Sequence, residues 1–244
     1  MEISELPPLP ATYAGLLALG LSRSDIRRAE WAGMLRRLLR GVYVRGEVPV
    51  TTELRLAAAV LVISPHSVAC DRTAAWIWGV DTFEYRELDG VPPVETFVLR
   101  GRHRTSRLEH RGGVRDLEPS DWVEVDGVKV TTPLRTALDL GCTLNRREAL
   151  AAMDALMRCH SFTDADLRRL LPRYRRRRGV VQLREVIPLV DPRAESPRES
   201  WTRLAIHDAG LLPPACQWWV EVDGVPTYRL DIAYPHARIA IEYD

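Results

Sequence analysis

The sequence has almost no lysine. Of its 34 basic residues, 33 are arginine and only Lys129 is lysine. The net charge is +1, which hides strong local asymmetry in where the arginines lie. A GC-rich genome explains such a bias, and a planar guanidinium also suits contact with phosphate groups. The arginine-rich segments are therefore the first candidates for function.

Cysteine and long apolar runs are also scarce. The cysteines lie without C-x-x-C spacing at positions 70, 142, 159 and 216, which argues against a zinc site and for a reducing compartment. The longest apolar run, Leu56–Ile63, is too short to span a bilayer. The N-terminus is acidic and proline-rich, unlike a signal peptide. We expect a cytoplasmic protein that does not associate with membranes.

A basic module is predicted in residues 11–46. Ala11–Leu19 forms a short helix candidate, and Ser22 with Asp25 forms a capping box for a helix running from Arg23 to about Ala32. We expect Ile26, Ala29 and Met34 to face inward. Leu35–Val44 alternates as a β-ribbon, and the segment from Ser22 to Gly46 carries a net charge of +5. This pattern predicts a winged helix whose second helix enters the major groove, the alternative being a purely structural role. The candidate DNA-binding arginines here are Arg23, Arg27, Arg28, Arg36, Arg37 and Arg40.

The phrase L-R-R-L-L-R-G-V-Y-V, which ends the basic module, resembles the N-terminal domain of AbiEi-type antitoxins of type IV toxin–antitoxin systems. The segments Ser64–His66 and Val130–Leu140 resemble later parts of the same proteins. The resemblance implies a DNA-binding domain, an α+β middle domain and a toxin partner encoded nearby.

The middle of the chain predicts both helices and strands. Apolar helices are expected at 53–63 and 66–78, strands at 95–99, and a hairpin at 122–130 around Asp126–Gly127. Capped helices are expected to begin after Thr132, Asn145 and Thr163, and a further helix is expected at 179–190.

A second arginine run, residues 173–178, surrounds Tyr174. Arginines beside one tyrosine predict phosphate contacts by Arg175 and Arg176, with Tyr174 stacking on a base. The alternative is a solvated basic helix end or linker.

The segment Tyr228–Asp244 is predicted to be a β-hairpin about a turn at Pro235–Arg238. With an even turn, Asp231 lies directly opposite Glu242, and opposed carboxylates repel unless a cation lies between them. Mg²⁺ is the natural candidate, with a solvated face neutralised by Arg229 as the alternative. The other face is expected to be a core face and consists of Leu230, Ile232, Tyr234, Ile239, Ile241 and Tyr243.

This hairpin resembles the metal-binding core of the PD-(D/E)XK nuclease superfamily, in the branch of very-short-patch-repair (Vsr) endonucleases. The resemblance implies that Asp231 and Glu242 hold Mg²⁺, that Asp244 assists, and that Glu199 on the preceding helix supports the cluster. Glu199 also has a purely structural interpretation as part of a capping box with Ser196. Asp244 stands where the superfamily usually has lysine, and the strands expected after it are absent from this sequence.

These patterns together predict an α+β protein. We expect a winged helix in residues 1–50, an α+β middle domain in residues 51–190, and the first half of a Vsr-like, restriction-endonuclease-like α/β domain in residues 191–244. The expected function is DNA binding with a Mg²⁺-dependent endonuclease-like part that is incomplete or inactive. The alternative is an AbiEi-like antitoxin or repressor without catalytic activity.

Overall fold

The computed structural model describes residues 3–82, 94–99 and 110–242. Helices and separate sheets alternate along the chain, which confirms the α+β class. Two compact units divide the chain: an N-terminal unit that ends at Thr132 and a C-terminal unit that begins at Pro133. The boundaries predicted after residues 50 and 190 are boundaries between independently folding domains. They stay predictions.

The N-terminal unit begins with a small antiparallel sheet and two short helices. These elements are β1 (Ala11–Thr12), α1 (Tyr13–Ala18), α2 (Arg23–Trp31), β2 (Leu35–Leu39) and β3 (Val42–Arg45). The strands are ordered β1-β3-β2. The helix start predicted at Ala11 is wrong. Ala11 and Thr12 pair with β3, and α1 begins only after Thr12, whose side chain caps it.

The rest of this unit is a larger mixed sheet with two helices. Its elements are α3 (Thr52–Val60), β4 (Ser67–Ala69), α4 (Asp71–Ile77), β5 (Val94–Leu99), β6 (His110–Arg111), β7 (Val114–Arg115), β8 (Trp122–Val125) and β9 (Val128–Thr131). The strand order is β6-β5-β4-β9-β8, and β7 also pairs with β5. The predicted hairpin between β8 and β9 is confirmed, with positive φ angles at Asp126 (48°) and Gly127 (81°).

The helix predicted from His66 begins only at Asp71. Ser67–Ala69 is instead a buried strand that pairs antiparallel with β5 and parallel with β9. Both partners are remote in sequence, so the local apolar pattern alone did not distinguish this strand from a helix.

The C-terminal unit is helical first and ends in a sheet. Its elements are α5 (Pro133–Thr143), α6 (Arg146–Cys159), α7 (Asp164–Leu170), α8 (Val180–Val186), α9 (Pro197–Asp208), β10 (Ala215–Val222), β11 (Val225–Tyr234) and β12 (Ile239–Ile241). The strands are antiparallel in the order β10-β11-β12. The side chains of Leu138, Leu150, Met153 and Leu156 are fully buried and belong to α5 and α6.

The sheet formed by β1, β2 and β3 contributes to two hydrophobic clusters. Leu35 and Tyr43 pack with Ile26 and Ala29 of α2, whereas Leu38 and the other buried residues of the β2–β3 hairpin pack with α3, α4 and β9. One sheet thereby fixes α2 on one side and the rest of its unit on the other. None of the helices in the described ranges has the length and apolar content needed to span a bilayer.

Candidate functional site

The basic helix α2 begins at the predicted capping box. Asp25 N donates to Ser22 Oγ at 3.2 Å, and Ser22 N donates to Asp25 Oδ2 at 3.0 Å. Hydrogen bonds from the Ser22 hydroxyl and backbone hold the pKa of Asp25 below its ordinary value. Ile26 and Ala29 are buried as predicted, which orients the opposite face of α2 toward solvent.

Three predicted arginines of α2 lie on its exposed side. Arg28 Nη1 lies 3.7 Å from Asp25 Oδ1, and both side chains are largely exposed, so this ion pair contributes little. Within the part of the chain that the structure describes, Arg23 and Arg27 carry no ion pair or hydrogen bond through their guanidinium groups. Their charges are available to a polyanion.

The arginines of the β-hairpin differ from those of α2. Arg36 Nη2 donates to the carbonyls of Gly46 and Val48, and Arg37 Nε lies 3.2 Å from Glu30 Oε1. Arg40 is exposed on the turn that follows β2. Binding of DNA by these three arginines stays a prediction, with Arg36 and Arg37 already held by the protein itself.

Inspection of the sequence missed Trp31, the last residue of α2, whose side chain is 92% exposed. Its spacing of four residues from Arg27 was the available signal, because residues four apart share one side of a helix. Met34, which the sequence predicted to face inward, is 47% exposed, because Gly33 ends the helix in a left-handed turn.

The prediction that Tyr174 stacks on a base is wrong. Tyr174 is only 3% exposed, and its hydroxyl donates to Asp139 Oδ1 at 2.5 Å. Burial and the neighbouring carboxylate raise the pKa of Tyr174 well above its ordinary value, so the phenol keeps its proton. Asp139 is fully buried and also accepts from Arg177 at 2.6 Å and from Arg135 at 3.0 Å.

The other predicted residues of this arginine run remain on the surface. Arg175 and Arg176 are exposed, and the described part of the chain offers neither of them an ion-pair partner. They stay candidates for phosphate contact, but the aromatic platform expected beside them is part of the core.

The register predicted for the C-terminal hairpin is confirmed. Ile232 pairs with Ile241, and Tyr234 pairs with Ile239, about a short 3₁₀ turn that ends at Arg238. Continuing this register places Asp231 opposite Glu242, and Asp231 N donates to Glu242 Oε1 at 3.3 Å. The two predicted metal-binding carboxylates are therefore neighbours at one end of the β11–β12 pair.

The predicted burial of this hairpin is only partly right. Ile232 is 2% exposed, but Ile239 is 51% exposed, and Ala233 on the other face is buried. The error arises because burial depends on what covers each face of the sheet, which strand periodicity does not specify. Tyr243 and the predicted catalytic residue Asp244 lie outside the described residues.

Glu199, near the start of α9, makes hydrogen bonds both within its own segment and to β10. Its backbone N–H donates to Ser196 Oγ at 3.2 Å, but its carboxylate accepts from Glu195 N at 3.0 Å instead of completing the predicted capping box with Ser196. The same carboxylate accepts from Gln217 Nε2 at 2.9 Å, and Gln217 Nε2 lies 3.5 Å from Asp231 Oδ1. Gln217 thus links Glu199 to Asp231.

Sequence inspection offered no signal for Gln217. It lies within β10 with a φ of 52°, and the pairing of Cys216 with Ile232 and of Trp218 with Leu230 places it opposite Asp231. Its Oε1 atom is buried and has no hydrogen-bond partner in the part of the chain described here. Buried polar atoms are usually hydrogen-bonded. The unpaired Gln217 Oε1 beside the carboxylates is therefore available to a hydrogen-bond donor or, as an oxygen ligand, to a cation.

Asp231, Glu242 and Gln217 form what we call the acidic cluster, and the described structure pairs Arg229 outside it. Arg229 Nη2 lies 2.8 Å from Glu195 Oε2 and not at the Asp231–Glu242 pair, contrary to the alternative considered for it. Across the described ranges, no group of three or more histidine, cysteine, aspartate and glutamate side chains is arranged to hold a metal ion. The ligands that the acidic cluster offers to a cation are two opposed carboxylates and one amide oxygen.

A second buried carboxylate, Asp154 of α6, ties α6 to α9. It accepts from Ser200 Oγ at 2.7 Å, from Arg203 Nη1 at 2.9 Å and from Asp191 N at 2.8 Å. Burial raises its pKa to about 7 despite these donors. This network is structural, because its atoms face one another inside the C-terminal unit.

Comparison with known proteins places the chain in a family. Residues 67–189, from β4 to the turn after α8, match the family described as AbiEi antitoxin C-terminal domain. This chain belongs to that AbiEi antitoxin family. The match supports the AbiEi resemblance, whereas residues 191–244 lie beyond it and their resemblance to Vsr endonucleases stays a prediction.

Two relatives extend the similarity of this AbiEi-family chain beyond the matched region. They are the uncharacterized proteins MT2308 and Rv2248 of Mycobacterium tuberculosis, from strains CDC 1551 / Oshkosh and ATCC 25618 / H37Rv. Each is 34% identical over 213 residues, covering 87% of this chain and 74% of the relative.

Proposed function

We propose that this AbiEi-family chain is a DNA-binding antitoxin that represses transcription through a winged helix formed by residues 11–45. The observation that carries the proposal is the connectivity of this segment. A strand is followed by two helices and a two-stranded ribbon, and the strands are ordered β1-β3-β2. A helix pair with an adjoining ribbon is the arrangement by which such modules present their second helix to the major groove.

The charge distribution supports the same proposal. Arg23 and Arg27 lie exposed on α2, and Arg28 makes an exposed ion pair with Asp25, its single ion-pair partner among the described residues. Phosphate groups would compete readily with so weak an internal partner. The module would therefore bind DNA with a steep dependence on salt concentration.

The test is a titration of the purified chain onto a labelled duplex from the region upstream of its own gene, at roughly 50 and 200 mM salt. Replacing Arg27 and Arg28 together with alanine should weaken binding at both salt concentrations. The matched control replaces Arg168 and Arg169, two exposed arginines of α7 that are paired with Asp164 and Asp166. Equal affinities of wild type and both variants would exclude α2 from the interface.

The family name supplies the partner proposal. An antitoxin acts on a toxin, and we expect that toxin to be encoded beside this gene. Coexpression of the chain with the adjacent gene should restore growth that the adjacent gene alone arrests. Growth arrest that persists at full expression of the folded chain would argue against an antitoxin role and leave DNA binding to be judged separately.

A second candidate function is binding of a divalent cation at Asp231 and Glu242. It is favoured by their confirmed cross-strand proximity and by the unpartnered Oε1 of Gln217 in β10. Two carboxylates and an amide oxygen are hard ligands of the kind Mg²⁺ takes together with water or substrate phosphate. If Mg²⁺ binds there, it would supply charge stabilisation to phosphate chemistry. Glu199 would act by orienting Gln217.

Thermal melting with and without millimolar Mg²⁺ or Mn²⁺ tests this second candidate. Binding to the folded state should raise the melting temperature of the wild type and leave Asp231→Asn unchanged. Glu221→Gln, an exposed change on β10, is the matched control and should respond like the wild type. Mg²⁺-dependent DNA cleavage that disappears in Asp231→Ala would extend the role to an endonuclease, and we expect no efficient cleavage.

A further inference from the structure

The side chain of Trp31 is the most exposed of the large apolar side chains in the described residues, at 92%. Tryptophan has an extensive apolar surface and is enriched at interfaces. Trp31 ends α2, the helix that carries the unpaired arginines. The ring therefore requires an explanation in terms of what α2 binds.

Helix geometry places Trp31 at the centre of the exposed face of α2. At 3.6 residues per turn, Trp31 lies one turn from Arg27 and two turns from Ser24, on the side opposite Ile26 and Ala29. Ile26 and Ala29 are both 1% exposed, which fixes the orientation of the helix. The exposed face is thus a tryptophan flanked by arginines and serine.

The charges around the Trp31 ring favour a negatively charged partner. Arg23 and Arg27 have no ion-pair partner in the described chain, and the one acidic residue of the first turn, Asp25, is engaged by Ser22 and Arg28. An apolar ring inside a cationic rim suits a polyanion that also offers apolar groups. Duplex DNA has both, because its phosphates line the groove and each thymine presents a C5-methyl group in the major groove.

The dimensions of α2 are compatible with such a contact. Its nine residues span about 14 Å, close to the width of the major groove of about 12 Å. Both ends of the helix therefore stay within reach of one groove.

We propose that Trp31 makes the apolar base contact of α2, against thymine methyl groups in the major groove, while Arg27 and Arg28 contact phosphates. The inference rests on the proposed DNA-binding function and assigns the specificity-determining residue within it. Trp31 carries no charge, so its contribution is independent of salt, whereas that of the arginines falls as salt rises. This difference separates the two kinds of contact by experiment.

The experiment uses the full chain and a duplex enriched by the wild type from a random-sequence pool. Affinity is measured over a range of salt for wild type, Trp31→Ala and Trp31→Phe, and for Trp219→Ala, an exposed tryptophan of β10 that serves as control. Trp31→Ala should weaken binding roughly tenfold or more with an unchanged salt slope. Trp31→Phe should retain most of the affinity, and Trp219→Ala all of it.

A second arm replaces each thymine of the duplex with deoxyuridine, which removes only the methyl groups. Deoxyuridine should weaken binding by the wild type and leave binding by Trp31→Ala unchanged, since the methyl groups and the ring act as a pair. Unaltered affinity of Trp31→Ala, or equal losses with deoxyuridine in both proteins, would overturn the assignment while DNA binding stands. A wild type that enriches no duplex at any salt would instead refute the proposed function itself. Loss of toxin binding but not of DNA binding in Trp31→Ala would assign the ring to a protein partner and overturn the inference.

Discussion

Two arginine-rich segments look alike in sequence and differ completely in structure. Residues 22–46 keep Arg23 and Arg27 exposed on α2, around an exposed tryptophan. Residues 173–178 direct Tyr174 and Arg177 toward the buried carboxylate of Asp139. The comparison shows that arginine density alone does not distinguish an exposed basic surface from a segment that neutralises an internal charge.

The reason lies in the partner that each segment meets. α2 packs through Ile26 and Ala29, which are apolar, and among the described residues Arg23 and Arg27 have no ion-pair partner. The 173–178 segment lies beside α5, whose Asp139 has no access to water. A buried carboxylate is stable only when several donors surround it, and Arg135, Tyr174 and Arg177 are those donors.

The largest effect that we predict tests the internal network. Asp139→Ala removes the acceptor shared by the buried guanidinium of Arg135, the partly buried guanidinium of Arg177 and the buried phenol of Tyr174. It should lower the free energy of unfolding by about 3–5 kcal/mol. Denaturant unfolding measures this loss. The control Asp208→Ala removes only the exposed partner of Arg146 and should cost at most about 1 kcal/mol. Similar losses in the two variants would mean that the Asp139 network contributes no more than a surface pair.

The second prediction compares the two arginine segments directly. Arg23, Arg27 and Arg28 replaced together by alanine should flatten the log–log salt dependence of DNA binding by roughly one unit per lost phosphate contact. The triple replacement of Arg175, Arg176 and Arg178 should change the slope less, since these residues lie outside the proposed DNA-binding module of residues 11–45. Equal changes in slope would show that both segments touch DNA and would remove the contrast between them.

The third prediction concerns pH and another buried carboxylate, Asp154. Its folded-state pKa of about 7 lies above that of an unfolded aspartate, so the folded chain holds a proton that the unfolded chain releases. The resulting stabilisation is fully present below about pH 4 and is lost as pH rises through about 7, at no more than about 1.4 kcal/mol per pH unit.

Measuring the free energy of unfolding against pH for wild type and Asp154→Asn isolates this contribution. The wild type should lose stability relative to the variant between roughly pH 4 and pH 7. Parallel curves would show that the donors from Ser200, Arg203 and Asp191 offset the cost of burial completely. In that case Asp154 would resemble Asp139 as an ion-paired carboxylate.

The sequence by itself determined the features whose cause is local. The capping box at Ser22, the Asp126–Gly127 turn and the register of β11 with β12 all follow from residues a few positions apart. Turn type and side-chain alternation are properties of neighbouring residues, so a short stretch contains all the information needed to predict them.

Only the tertiary structure decided the features whose partners are remote in sequence. Ser67–Ala69 is a strand because β5 and β9 pair with it on its two sides. Tyr174 faces inward, where its hydroxyl donates to the buried carboxylate of Asp139. Gln217 donates to Glu199 from a position in β10 with a positive φ angle, which the local sequence pattern did not predict. Burial and strand pairing depend on contacts between segments that are distant in sequence. The sequence of one segment alone therefore does not determine them.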